Sequence, residues 1–88
     1  MSEPKWYPDE GRIVKGDREV HLSPAQALIY AELWKRYPAV TPVSQIAESI
    51  TASNNATSVY IHRMRQKGIK LETHWRWGYR LAPGWGPE

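Results

Sequence analysis

The sequence predicts a small α+β domain ordered hairpin, helix, helix, helix, hairpin. Three observations lead there. Two short apolar-containing runs flank Gly16-Asp17 near the start of the chain. Three helix-length stretches follow, each with an apolar stripe at helical spacing. Two runs rich in β-branched and aromatic residues then close the chain around a tip at His74-Trp75-Arg76.

The first run pair, RIVKGDREVHL over residues 12–22, places glycine first in a two-residue loop, where a type II′ turn needs positive φ. Pairing Lys15 with Arg18 then sets Ile13 opposite Val20 on one face. Helix 1 opens at Ser23, a good N-cap, with Pro24 in the first turn and Gln26 completing a capping box. Ile29, Tyr30, Leu33, Trp34 and Tyr37 form its wide apolar stripe, and Pro38 stops it. Thr41-Pro42 is expected to open helix 2 in the same way, with Val43, Ile46, Ala47 and Ile50 on the buried side. Thr51 to Asn54 form a short polar link, and helix 3 is expected over about residues 55–67, with Gly68 as its C-cap. Strands at Ile69–Thr73 and Trp77–Leu81 complete the order. Residues 1–10 read as a flexible arm, 11–82 as the domain and 83–88 as a flexible tail. Helices 2 and 3 are joined tightly enough for a helix-turn-helix, and the last hairpin, 69–81, is a wing beside it.

Length and composition exclude much. With 88 residues, 41% of them hydrophobic, the chain forms one domain that buries only about 60–65% of its unfolded surface. That leaves no room for a large enclosed substrate cavity. There is no cysteine, so neither disulfides nor a thiolate metal site stabilises the chain, and a reducing cytoplasm suits it. No apolar run approaches the roughly 18–20 residues that span a bilayer, and the charged start MSEPKWYPDEG is not a secretory signal. His21, His62 and His74 are scattered, without metal-ligand spacing. Asp9, Glu10, Asp17 and Glu19 read as solvated turn charges. No nucleophile triad, phosphate-binding glycine loop or carboxylate pair emerges. The expectation is a non-enzyme without a cofactor, located in the cytoplasm at the nucleoid.

Charge placement points to a partner. Residues 54–80 hold six basic side chains against one carboxylate, a net of +5, whereas residues 1–53 carry six basic and seven acidic side chains. A basic helix joined to a basic hairpin suits the grooves and phosphates of nucleic acid. On a helical wheel, Thr57, Ile61, Met64 and Gly68 cluster toward the core, with Tyr60 at their edge. The opposite arc carries Asn55, Ser58, Val59, His62, Arg63 and Gln66. Arg63 matches guanine O6 and N7, Asn55 or Gln66 matches adenine N6 and N7, and Val59 matches a thymine methyl. The bland alternative is an ordinary solvated helix face. Thr41 and Ser44 at the start of helix 2, Arg65 and Lys67 at the end of helix 3, and Thr73, Trp75 and Arg76 in the wing are candidates for phosphate and wing contacts. Trp77 is expected to cover helix 3 or the sheet, Trp34 to lie in the core and Trp6 at its edge.

From about Ile13 to Leu81 the chain resembles the DNA-binding domain of OmpR/PhoB-type response regulators. VHLSPAQALIYAEL is similar to the family's helix 1 opening. TSVYIHRMRQK is similar to its recognition helix, and LETHWRWGYRL to its wing. The resemblance implies a small winged helix-turn-helix that binds double-stranded DNA and regulates transcription. It places Ser58, Val59, His62 and Arg63 where the family reads bases, Arg65 and Thr73 where it holds phosphates, and Tyr79 at a buried wing position. It further implies a second copy on tandem half-sites, and RNA polymerase or another regulator as partner. The sequence departs from the family in four respects. The 88 residues hold no segment expected to form a receiver domain, the N-terminal sheet is expected to be cut to about one hairpin, and the link Thr51–Asn54 is shorter than the family's polymerase-contacting loop. The wing's Arg-Gly is replaced by Trp75-Arg76. Rival readings are a protein-interaction module using the Trp-rich wing, and a binder of structured RNA.

Overall fold

The computed structural model describes residues 4–74 and 76–87. Its elements run β1 (Lys5–Tyr7), β2 (Arg12–Lys15), β3 (Arg18–His21), α1 (Pro24–Arg36), α2 (Val43–Ser49), α3 (Asn54–Gln66), β4 (Leu71–His74) and β5 (Gly78–Leu81). The strands form two antiparallel sheets, β1-β2-β3 and β4-β5.

Local chemistry sets each element. Gly16 has φ 60°, as the first central position of a II′ turn requires, and Lys15 pairs with Arg18 while Ile13 pairs with Val20. At α1 the capping box is complete. Ser23 Oγ accepts from the Gln26 amide at 3.3 Å, and Gln26 Oε1 accepts from the Ser23 amide at 3.0 Å. At α3 Ser53 Oγ accepts from the Ala56 amide at 3.1 Å, and the Thr57 hydroxyl donates to Ser53 O at 2.9 Å. The same helix ends in a Schellman arrangement. The Gly68 amide donates to Arg65 O at 3.0 Å and the Ile69 amide to Met64 O at 3.3 Å, with Gly68 at φ 102°. Buried Met64 and Ile69 supply the hydrophobic contact that accompanies such a turn.

Helix α2 begins differently from the sequence expectation. Its N-cap is Pro42, with no side-chain cap bond. Thr41 instead lies in an isolated antiparallel bridge with Tyr79, so its hydroxyl is turned away from capping.

The core gathers Ile13 and Val20 from the first sheet, Ile29, Tyr30 and Leu33 from α1, Ile46 from α2, Ile61 and Met64 from α3, and Leu71 and Leu81 from the wing. Fully burying an aliphatic side chain of this size contributes about 1.5–3 kcal/mol. Trp6 and Trp85, near the two ends of the described residues, join this core, where the sequence suggested an arm and a tail. Residues Lys5–Tyr7 pair antiparallel with Arg12–Val14 as an edge strand, flanked by Pro4 and Pro8, residues that an edge tolerates. The Trp6 ring meets Tyr30 edge-on at 4.7 Å. At the other end the Trp85 amide donates to Ala82 O, and this turn brings Trp85 back to 4% exposure. The first sheet thus has three strands rather than one hairpin.

Candidate nucleic-acid interface

Helix α3 buries Thr57, Ile61 and Met64. Asn55, Ser58, Val59, His62, Arg63 and Gln66 are all exposed on the opposite side, as the helical spacing predicts. Val59 is 48% exposed, an apolar side chain left in water among donors and acceptors. Arg63 and Gln66 also border a groove shared with Ser23 and Pro24 at the start of α1. No hydrogen bond or ion pair ties the Arg63 guanidinium to another described residue, so its donors are available to a ligand.

The candidates for phosphate and wing contacts divide. Ser44 and Thr73 are exposed at the open ends of α2 and β4. Arg65 is exposed but engaged, because Nη2 donates to Leu71 O at 3.0 Å and to Thr73 Oγ1 at 2.6 Å. Its guanidinium also lies 5.7 Å from the Tyr79 ring. Arg65 therefore clamps the wing onto α3, and Thr73 accepts that bond while keeping its own hydroxyl proton. Lys67 reaches back toward α1. Its ammonium donates to His21 O and to Gln26 Oε1, both at 2.7 Å, and closes the capping box from outside. Thr41 is 0% exposed, so its side chain offers no surface to a phosphate in this structure. Its Oγ1 is also buried without a partner among the described residues. Trp75 lies outside the described residues.

The wing tip departs most from the sequence expectation. His74 pairs with Gly78, and Arg76 and Trp77 lie in the turn before Gly78, so Trp77 belongs to the turn rather than to a strand face. It is 74% exposed, not a core cover. Arg76 takes φ 72°, a left-handed conformation unusual for a side chain other than glycine. The sequence pattern had set this arginine where similar wings carry glycine. Gly78 is fixed for another reason. A Cβ there would stand 2.0 Å from Thr41 O, so only glycine allows the wing backbone to approach α2 this closely.

Electrostatics around the wing favour an anion. The one carboxylate of residues 54–80 is Glu72, and Arg80 Nε donates to its Oε1 at 2.6 Å. The Arg80 guanidinium holds the Glu72 carboxyl below its ordinary range against a smaller desolvation effect, with His74 acting in the same direction. Glu72 is thereby neutralised within the wing. Arg63, Arg65 and Arg76 are all exposed.

A cleft of about 470 Å³ separates the wing from the starts of α2 and α3. Asn54, His74 and Trp77 line it, and sequence reasoning singled out none of them for binding. The signal for Asn54 was present in the Ser53 cap, which fixes it as the first residue of α3.

A tight α2–α3 pair with a hairpin bolted beside the second helix decides the architecture. The fold is a winged helix-turn-helix. Solved structures agree. The DNA-binding domain of E. coli CadC superposes with a TM-score of 0.79 at 15% identity, covering 92% of this chain and 87% of that one. The C-terminal domain of the nisin resistance regulator NsrR, a lantibiotic response regulator, superposes with a TM-score of 0.80 at 21% identity, covering 100% of this chain and 96% of that one. Both are winged-helix domains of the OmpR/PhoB type. No protein-family model matches the sequence, and no curated protein matches it either. Among the described residues of this winged helix, no helix is long and apolar enough to cross a membrane, and no group of three or more histidine or acidic side chains is placed to hold a metal ion.

Proposed function

We propose that this winged helix is a sequence-specific, double-stranded DNA-binding regulator of transcription. Helix α3 enters the major groove and the wing lies on the minor groove and backbone. One observation carries the reading: Asn55, Ser58, Val59, His62, Arg63 and Gln66 share one exposed face of α3, and none is acidic. Arg63 reads a guanine, Asn55 or Gln66 an adenine, and Ser58 and His62 reach bases or adjacent phosphates. Ser44 and Thr73 hold phosphates directly. Arg65 acts mainly by holding the wing at its angle to α3. The solved neighbours named above support the reading, one being a DNA-binding domain and the other the C-terminal domain of a response regulator. Because one helix reads few bases, two copies on adjacent half-sites supply the length of a unique operator.

The test is selection of bound sequences from a random duplex library, followed by titration of the selected duplex over a range of salt. The +5 segment engages roughly four to six phosphates, which gives a slope of log K against log salt of about −4 to −5. Arg63→Ala is expected to lose about 1–3 kcal/mol at one base position and relax specificity there. Arg65→Ala weakens all sequences similarly. A flat salt response, or no recovered consensus, sinks the reading.

A further inference from the structure

Trp77 has the greatest exposure of the large hydrophobic side chains among the described residues, at 74%. Its backbone is engaged on both sides. The Trp77 amide donates to His74 O at 2.9 Å. Arg76 before it sits in the left-handed region, and Gly78 after it is pressed against the Thr41 carbonyl. This turn presents a large flat apolar surface to water, beside a cation.

That surface forms one wall of the cleft between the wing and the starts of α2 and α3. Val43 adds apolar surface, and Ser44, Asn54, Thr73, His74 and Arg76 bring polar groups to the lining. No carboxylate lines it among the described residues. Such a lining asks for a ligand with an apolar face and an anionic edge. Deoxyribose with its phosphodiester has both, the C–H face of the sugar suiting the indole and the phosphate oxygens suiting hydroxyl and amide donors. A protein partner would also bury an exposed indole. The donor-rich, carboxylate-free lining and the net charge of the segment favour the polyanion.

We propose that this cleft seats one sugar–phosphate unit of duplex DNA, with the Trp77 indole packed on the deoxyribose and Ser44, Asn54 and Thr73 donating to the phosphate. The inference rests on the duplex-binding reading above and assigns to Trp77 the role of fixing the wing's depth on the backbone.

The experiment is fluorescence anisotropy of a short fluorescein-labelled duplex of mixed sequence with the full chain, Trp77→Ala and Trp77→Phe, alongside thermal midpoints. Trp77→Ala is expected to bind about tenfold more weakly, toward the low end of what aromatic stacking on a nucleotide contributes. Its salt slope stays at the wild-type value, because no charge is removed. Trp77→Phe recovers most of the affinity, and neither variant shifts the thermal midpoint. If the wild type binds duplex and Trp77→Ala binds it equally well, the cleft assignment fails while the duplex-binding reading stands. The assignment also fails if affinity falls only together with the midpoint. If the wild type binds no duplex at low salt, both fail together.

Discussion

Thr41 and Tyr79 exchange both of their backbone hydrogen bonds, the Thr41 amide donating to Tyr79 O at 2.8 Å and the Tyr79 amide to Thr41 O at 3.0 Å. This single bridge fastens the second strand of the wing to Thr41, two residues before α2. The angle between wing and helix-turn-helix is therefore set by backbone geometry, and Arg65 reinforces it from the α3 side through Thr73 and Leu71. A side-chain contact alone could slide. A paired backbone bridge between two elements far apart in sequence does not.

Gly78 makes that bridge sterically possible, so Gly78→Ala is expected to break it. The new Cβ would meet Thr41 O at 2.0 Å and Thr41 C at 2.7 Å, at a φ of +143°. Neither a carbonyl nor a constrained strand yields cheaply, and the cost is about 1–3 kcal/mol of overpacking. Chemical denaturation should show that loss, and duplex affinity should fall with it because the wing is displaced. An unchanged midpoint would show that the wing is not held through this approach.

Tyr30 is where the two ends of the chain meet. Its hydroxyl donates to Trp85 O at 2.6 Å, while Trp6 stands edge-on to its ring. Burial pushes the phenol well above its ordinary value. A group whose folded pKa is raised contributes stability that is present below the unfolded value, about 10 for tyrosine, and is lost as pH rises above it. Tyr30→Phe leaves the Trp85 carbonyl without its donor and is expected to cost about 1–3 kcal/mol near neutral pH. The gap should narrow at about pH 11, where only the wild type still pays to keep a phenol neutral. Denaturation at both pH values checks this, and an equal gap at each would rule out a neutral buried phenol as the cause.

What was legible in the sequence follows the range of each interaction. Ser23 and Gln26 lie three residues apart, so their mutual capping is a local pattern, and the outward face of α3 follows from helical spacing alone. The Lys15–Arg18 register follows from the turn. The bonds that escaped are those between distant residues. Lys67 looked like a free phosphate contact, yet it caps the start of α1 from 41 residues away. Thr41 before a proline read as a helix cap, and the pairing with Tyr79 that claims it is not local. Trp85 sat among turn residues. Pro83 and Gly84 form the turn that brings the indole back onto the core. Trp77 departs from the expected strand because pairing ends at His74 and Gly78, which leaves the indole in the turn.

Arg76 provides the sharpest separation of stability from binding. At φ 72° its backbone carries a cost of about 1–2 kcal/mol relative to a right-handed conformation. Such outliers persist where the surroundings over-determine them, and they cluster at functional positions. Glycine adopts this conformation without steric cost but loses more chain entropy on folding. Arg76→Gly is therefore expected to leave stability within about 1 kcal/mol of the wild type, with the midpoint equal or higher. Binding should weaken on every duplex, and the salt slope should fall by about one. The loss should be greatest on sites flanked by A·T tracts, whose narrow minor groove concentrates negative potential. Thermal melts paired with anisotropy titrations on A·T- and G·C-flanked duplexes separate the outcomes. A variant that melts lower yet binds as tightly as the wild type would mean that Arg76 serves the turn and not the DNA.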